Sequence, residues 1–241
     1  MEKELGDLRG LFDEIISSFE YVDVSEIPNI ELYMDQVLTF MDRHLAPYAR
    51  DPENDKILTK TMINNYTKNH LLAPPVRKKY DIDHMLMLLI IYYMKSFLSI
   101  SDIGEILKPI REKYVEPFSG RKNVVISRKN PRGNLGGGEE GSGSGSSESE
   151  GAESKVLKEG EVTMRDVYAE LYESLIDELE NVVKQTNDQF SAAERSFAEF
   201  PEKDREQLQR LDLISRMSAE IYIKKLFIER MLDSGMYNDP H

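Results

Sequence analysis

The sequence predicts an all-α protein: an N-terminal helical domain, a flexible Gly/Ser/Glu linker and a C-terminal helical hairpin. Apolar residues recur at helical spacing on both sides of the linker, and no segment shows the strict alternation of a half-buried strand. Residues 133–154, GNLGGGEEGSGSGSSESEGAES, interrupt that pattern with glycine, serine and glutamate. Such a composition buries too little apolar surface to offset the entropy of ordering. The expected divisions are therefore 1–132, 133–154 and 155–241. As a random coil of about 20 residues the linker spans roughly 25 Å, and its glutamates offer a second possibility, folding back on the basic residues between Lys56 and Arg132 to compete weakly with a ligand there.

The first fifty residues carry two amphipathic patterns. Leu8, Leu11, Phe12, Ile15, Ile16 and Phe19 form one, and Ile30, Tyr33, Met34, Val37, Leu38 and Met41 the other, with Pro28 between them. Three more helices follow. Thr59 caps the first, Lys60 to Asn69, which stops before Ala73-Pro74-Pro75 because proline lacks an amide donor and pushes its predecessor out of helical space. Asp81 or Asp83 caps the second, Ile82 to about Phe97. Ser99 with Asp102 opens the third, Ile100 to about Tyr114, in the manner of a capping box. Val124 to Ser127 is the one short strand considered.

Beyond the linker, Thr163 and Asp166 mark a helix start, and Val167, Leu171, Leu175, Leu179, Val182 and Val183 supply an apolar stripe. Phe200-Pro201 marks a reversal. The return helix shows Leu211, Ile214, Met217, Ile221, Ile228 and Leu232 before Gly235 stops it. Two such stripes need a third partner, either the N-terminal helices or a second copy of the chain.

Charge is segregated. From Lys56 to Arg132 there are fifteen basic and six acidic residues, a local charge of +9, which leaves −22 on the rest of a chain whose formal net charge is −13. A basic island in an acidic chain is the electrostatic footprint of polyanion binding. There is no cysteine, so disulfides, thiolate nucleophiles and Cys-ligated metals are excluded. The N-terminus lacks a signal-peptide core, and the most apolar run, Met85 to Met94, is about half the length that crosses a bilayer. A cytoplasmic protein is expected, with no membrane partner.

The chemistry sits in Lys60 to Tyr80. On a helix starting at Lys60, the side chains of Lys60, Thr61, Asn64, Asn65 and Lys68 share one broad face, while Met62, Ile63 and Tyr66 turn inward. Asparagine makes a bidentate contact to adenine in the major groove, and lysine and threonine hold phosphates. Arg77, Lys78 and Lys79 in the adjacent turn neutralise backbone charge. His44, His70, His84 and His241 lack metal-ligand spacing, His70 and His84 reading as surface or helix-end residues. Gly136-Gly137-Gly138 lacks the lysine and the strand of a phosphate loop. No catalytic constellation stands out, so no enzyme, cofactor or metal is expected.

This order of elements resembles the MerR-like helix-turn-helix domains. Tyr66, Leu71-Leu72, Pro75-Val76-Arg77, Tyr80 and Leu98-Ser99-Ile100 with Ile103, Ile106 and Leu107 fall in that pattern's register. The resemblance implies a recognition helix ending near Tyr66 and a wing holding Tyr80, which is thereby added to the candidate DNA contacts. The chain departs from the pattern in four ways. Asn64-Asn65 replace Arg-Tyr, His70 replaces a glycine, the wing is shortened to Arg77-Lys78-Lys79-Tyr80, and a long loop precedes the recognition helix. The match is closer to an uncharacterised bacterial family, the domain of unknown function 1836. Its signature is similar to LTKTMINNYTKNHLLAPPVRKKY with MLLIIYYMKSFLSISDI, over roughly residues 20 to 118. That family brings no established activity.

The leading expectation is a sequence-specific regulator of transcription that binds double-stranded DNA as a homodimer through its helical segments, its operator and any effector unassigned. The alternative is a protein-interaction or scaffold module using the basic island and the C-terminal helices.

Overall fold

The computed structural model describes residues 5–51, 55–115, 162–235 and 237. Among them are seven α-helices: α1 (Leu5–Ser18), α2 (Met34–Leu45), α3 (Lys60–Lys68), α4 (Ile82–Met94), α5 (Ile100–Tyr114), α6 (Met164–Arg195) and α7 (Glu202–Asp233). The all-α class holds. Two short strands, β1 (Leu32–Tyr33) and β2 (Lys79–Tyr80), pair antiparallel with Leu32 opposite Tyr80 and Tyr33 opposite Lys79. At two residues each they are too short to leave an alternating pattern. The linker over 133–154, its proposed fold-back and the strand considered at Val124–Ser127 lie outside the described residues.

Local capping chemistry places the helix starts. The Thr59 side chain accepts from the Met62 amide at 3.1 Å and opens α3. Asp81, rather than Asp83, caps α4, its Oδ1 accepting from the His84 amide at 3.2 Å. Ser99 with Asp102 and Thr163 with Asp166 form capping boxes for α5 and α6. Gly235, at φ 72°, follows the end of α7, where a residue without Cβ adopts the left-handed conformation at no steric cost. The second amphipathic pattern begins later than expected. Ile30 and Tyr33 precede α2 and are exposed, because residues 32–33 are drawn into the β pair.

α4 lies at the centre of the main core. Every residue from Ile82 to Ile91 is buried, so this helix is enclosed on all sides rather than on one stripe. It ends at Met94, three residues short of Phe97. Around it pack Val37, Met41 and Leu45 of α2, Ile63 and Tyr66 of α3, Leu71 and Leu72, and Ile103 and Leu107 of α5. Met164 and Tyr168, in the first turns of α6, belong to this same core. A second cluster of Leu5, Phe190, Ala193 and Leu213 joins α1 to the far end of the α6–α7 hairpin. There Arg9 donates to Asn187 Oδ1 at 3.1 Å and stacks 5.1 Å from the Phe190 ring centre.

The hairpin is present, but of its expected stripes only Leu232 is fully buried. Leu171, Leu211, Ile214 and Ile221 are exposed, and α6 buries Met164, Tyr168, Phe190 and Ala193, α7 Leu213 and Leu232. Periodicity identifies apolar faces, whereas contact with α1, α4 and α5 selects which face is covered.

Candidate nucleic-acid interface

α3 is nine residues long and presents two unlike faces. Ile63 and Tyr66 are buried and Met62 is half-buried, while Lys60, Thr61, Asn64, Asn65 and Lys68 are all exposed. The helix ends through His70, whose φ of 59° is left-handed and lets the Leu71 and Leu72 amides turn back to the Tyr66 carbonyl at 2.9 and 3.3 Å. His70 thus occupies a position that glycine fills without strain. Asn69 Nδ2 donates to the Asn65 carbonyl at 2.8 Å and to Asn65 Oδ1 at 3.0 Å. Asn65 Oδ1 keeps a second lone pair, and its amide hydrogens remain for a ligand.

The next exposed unit is a two-residue hairpin. Val76 and Lys79 form a bridge, with the Lys79 amide donating to the Val76 carbonyl at 3.0 Å. The two residues at its tip, Arg77 and Lys78, both have positive φ, 52° and 67°, as a type I′ turn requires. Glycine and asparagine usually fill such positions, since a side chain there costs of order 1–2 kcal/mol. Two consecutive cations are held in it instead, both exposed.

The segment from residue 31 to 35 fastens this wing and α3 to one place. Glu31 pairs with Lys79 at 2.8 Å, Leu32 pairs with Tyr80 in the β ladder, and Asp35 pairs with Lys60 at 2.7 Å. The Lys79 ammonium also lies 5.8 Å from the Tyr33 ring centre. Its pKa is raised, first by the hydrogen bond to Glu31 and then by that carboxylate's charge.

The candidate residues consequently divide by state. Among the described residues Lys68, Arg77 and Lys78 make no ion pair, whereas Lys60 and Lys79 each carry one. Tyr80 does not present its ring to solvent. It is 3% exposed, packs edge-on to His84 at 5.4 Å, and burial raises its pKa, so it anchors the wing from beneath. His84 is likewise buried at the start of α4, a helix-end residue rather than a surface one, with Nδ1 2.7 Å from Asp81 Oδ1.

The sequence reading did not single out two cations on α5. An open groove of about 1130 Å³ runs between the end of α3 and α5, lined by Asn65, Asn69 and His70 on one side and by Lys108 and Arg111 on the other. Glu105 and Glu112 also line it. The i, i+3 spacing of Lys108 and Arg111 on one helix face was the available signal. Among the described residues, no group of three or more His, Cys, Asp or Glu is placed to hold a metal ion, and no helix is long and apolar enough to cross a membrane.

Residues 22–123 match the family model of a domain of unknown function (DUF1836). No curated protein and no solved structure matches the chain.

Proposed function

Taking residues 22–123 as a DUF1836 domain, we propose that this chain is a sequence-specific regulator of transcription that binds double-stranded DNA through a MerR-like helix-turn-helix. In this reading α3 lies in the major groove. Asn64 and Asn65 read adenine edges, Lys60, Thr61 and Lys68 hold phosphates, and the wing residues Arg77, Lys78 and Lys79 hold the flanking backbone. Tyr80 acts by anchoring the wing, and Lys108 and Arg111 extend the cationic surface beside α3. The protein is non-catalytic and cytoplasmic.

The observation that carries the reading is the attachment of α3 and the wing to the same five residues. Glu31, Leu32 and Asp35 reach Lys79, Tyr80 and Lys60. An exposed helix face and a strained two-cation tip are thereby held against one short segment. Strain retained in exposed basic residues is readily understood where a polyanion repays it.

Fluorescence anisotropy of the full chain with random duplex DNA across a salt series tests the proposal. Affinity should fall steeply with salt, and the triple substitution Asn64→Ala, Asn65→Ala, Lys68→Ala should weaken it while circular dichroism stays unchanged. No binding at low salt would discard the regulator. A protein-interaction module is the second reading, and the apolar outer face of α7 favours it.

A further inference from the structure

We infer that Asn69 determines base specificity by holding the Asn65 amide in one orientation, so that Asn65 selects adenine over guanine in the major groove. The inference rests on the DNA-binding reading and adds to it a positioning residue, one that acts through another. Its basis is a chain of hydrogen bonds at the end of α3. The left-handed turn at His70 stops the helix and fixes the backbone of Asn69 as its cap, at φ −90°. The Asn65 main-chain carbonyl accepts twice from residue 69, from the amide at 2.9 Å and from Nδ2 at 2.8 Å. A carbonyl oxygen only accepts, so the nitrogen end of the Asn69 side chain is the end that faces it. The second Nδ2 hydrogen is left for Asn65 Oδ1, 3.0 Å away. An oxygen belongs there, since two facing NH2 groups would leave nothing to accept. The orientation of both side chains thus follows from one main-chain carbonyl.

The consequence is a polarity. The amide oxygen of Asn65 is the end held by Asn69, and its NH2 group is the end left free. Adenine offers a donor, N6–H, beside an acceptor, N7. The held amide answers both, with the second lone pair of Oδ1 and a hydrogen of Nδ2. Guanine offers two acceptors, O6 and N7, and sets one of them against the held oxygen. An unrestrained asparagine escapes that repulsion by turning its amide over and donating instead. For Asn65 the same turn sacrifices the bond from Asn69, which disfavours guanine by about one net hydrogen bond, a factor of roughly three. Asn64 is the internal contrast. It is exposed on the same face, yet among the described residues its side chain has no such partner. Asn64 therefore reads with either end of its amide, and Asn65 with one.

Two measurements on the full chain test this, the first without nucleic acid. In NMR relaxation, the side-chain NH2 of Asn65 should be rigid and that of Asn64 mobile. Asn69→Ala should make the two alike, with unchanged far-ultraviolet dichroism, because Asn69 is exposed and its backbone suits alanine. The second measurement is enrichment and sequencing from a pool of random duplex DNA. Asn65→Ala should erase the preference at one adenine position. Asn69→Ala should lower the ratio of adenine to guanine at that same position about threefold. The other positions and the salt dependence should stay as in wild type, since no charge is removed. A mobile Asn65 amide in the wild type, or an Asn69→Ala profile identical to wild type, would overturn the inference. So would a loss spread over every position, which marks a merely structural residue. A pool in which no sequence is enriched would sink the DNA-binding reading together with this one. A selective wild type with an indifferent Asn69→Ala sinks this one alone.

Discussion

The hydroxyl of Tyr168 donates to the main-chain carbonyl of Val22 at 2.7 Å, joining residues 146 positions apart. Val22 in turn donates its amide to the Tyr93 hydroxyl at 3.2 Å. Both polar groups of one buried residue are thus satisfied by tyrosines from α4 and α6. This contact fastens the base of the C-terminal hairpin to the entry of the N-terminal domain.

Tyr168→Phe removes that donor and leaves the Val22 carbonyl buried without it. Loss of a buried hydrogen bond costs about 1–2 kcal/mol. The urea midpoint should fall accordingly, with probes in the hairpin and in α4 shifting together. A wild-type midpoint would show that the contact contributes nothing net.

At the wing tip, Arg77→Gly with Lys78→Gly separates charge from backbone strain. Glycine relieves two left-handed conformations but adds entropy to the unfolded chain. Stability should therefore stay within about 1 kcal/mol of wild type, on the stabilising side. The salt dependence of DNA affinity should lose about two phosphate contacts' worth of slope. An unchanged slope would remove the wing from the interface.

Lys60 and Lys79 are neutralised by neighbouring carboxylates. Asp35→Asn and Glu31→Gln should leave stability nearly unmoved, because exposed ion pairs contribute little. They should tighten DNA binding at low salt by about three- to tenfold, since each frees a cation for a phosphate. Anisotropy reads the change, and unaltered affinity would place both lysines outside the contact.

Alkaline pH should unfold the protein through its tyrosines. Burial raises the pKa of Tyr168 and of Tyr93 above the ordinary 10.0. The folded chain keeps protons that the unfolded chain releases, so this stability is complete below pH 10 and declines as pH rises further. Lys95 acts in the opposite direction, its pKa lowered from 10.5 by burial. It is one group against several, for Tyr21, Tyr66, Tyr80, Tyr92 and Tyr237 are also raised. The urea midpoint should drop between pH 9 and 11 while absorbance at 295 nm tracks phenolate formation. A rising midpoint would reverse the sign.

Much of the candidate interface was legible before any coordinates. Capping at Thr59, the prolines after His70 and the inward turn of Ile63 and Tyr66 are local signals, each carried within about one or two helical turns. They orient the face bearing Asn64 and Asn65. The wing was partly hidden, because its turn lacks the glycine by which such turns are usually recognised. Its strand partner, Leu32–Tyr33, lies 46 residues earlier, and nothing local announces that pairing.

The sequence by itself determined where α3, α5 and α6 begin, and which side of α3 meets water. Caps, proline and periodic burial act over a few residues and read the same in any context. Only the tertiary structure decided that Tyr80 is buried, that Asp35 and Glu31 hold Lys60 and Lys79, and that Met164 and Tyr168 enter the N-terminal core. It also decided that α7 buries Leu213 rather than its neighbours Leu211 and Ile214. Those outcomes depend on which distant surfaces compete for the same apolar area, and that competition is settled only when all the helices are packed together.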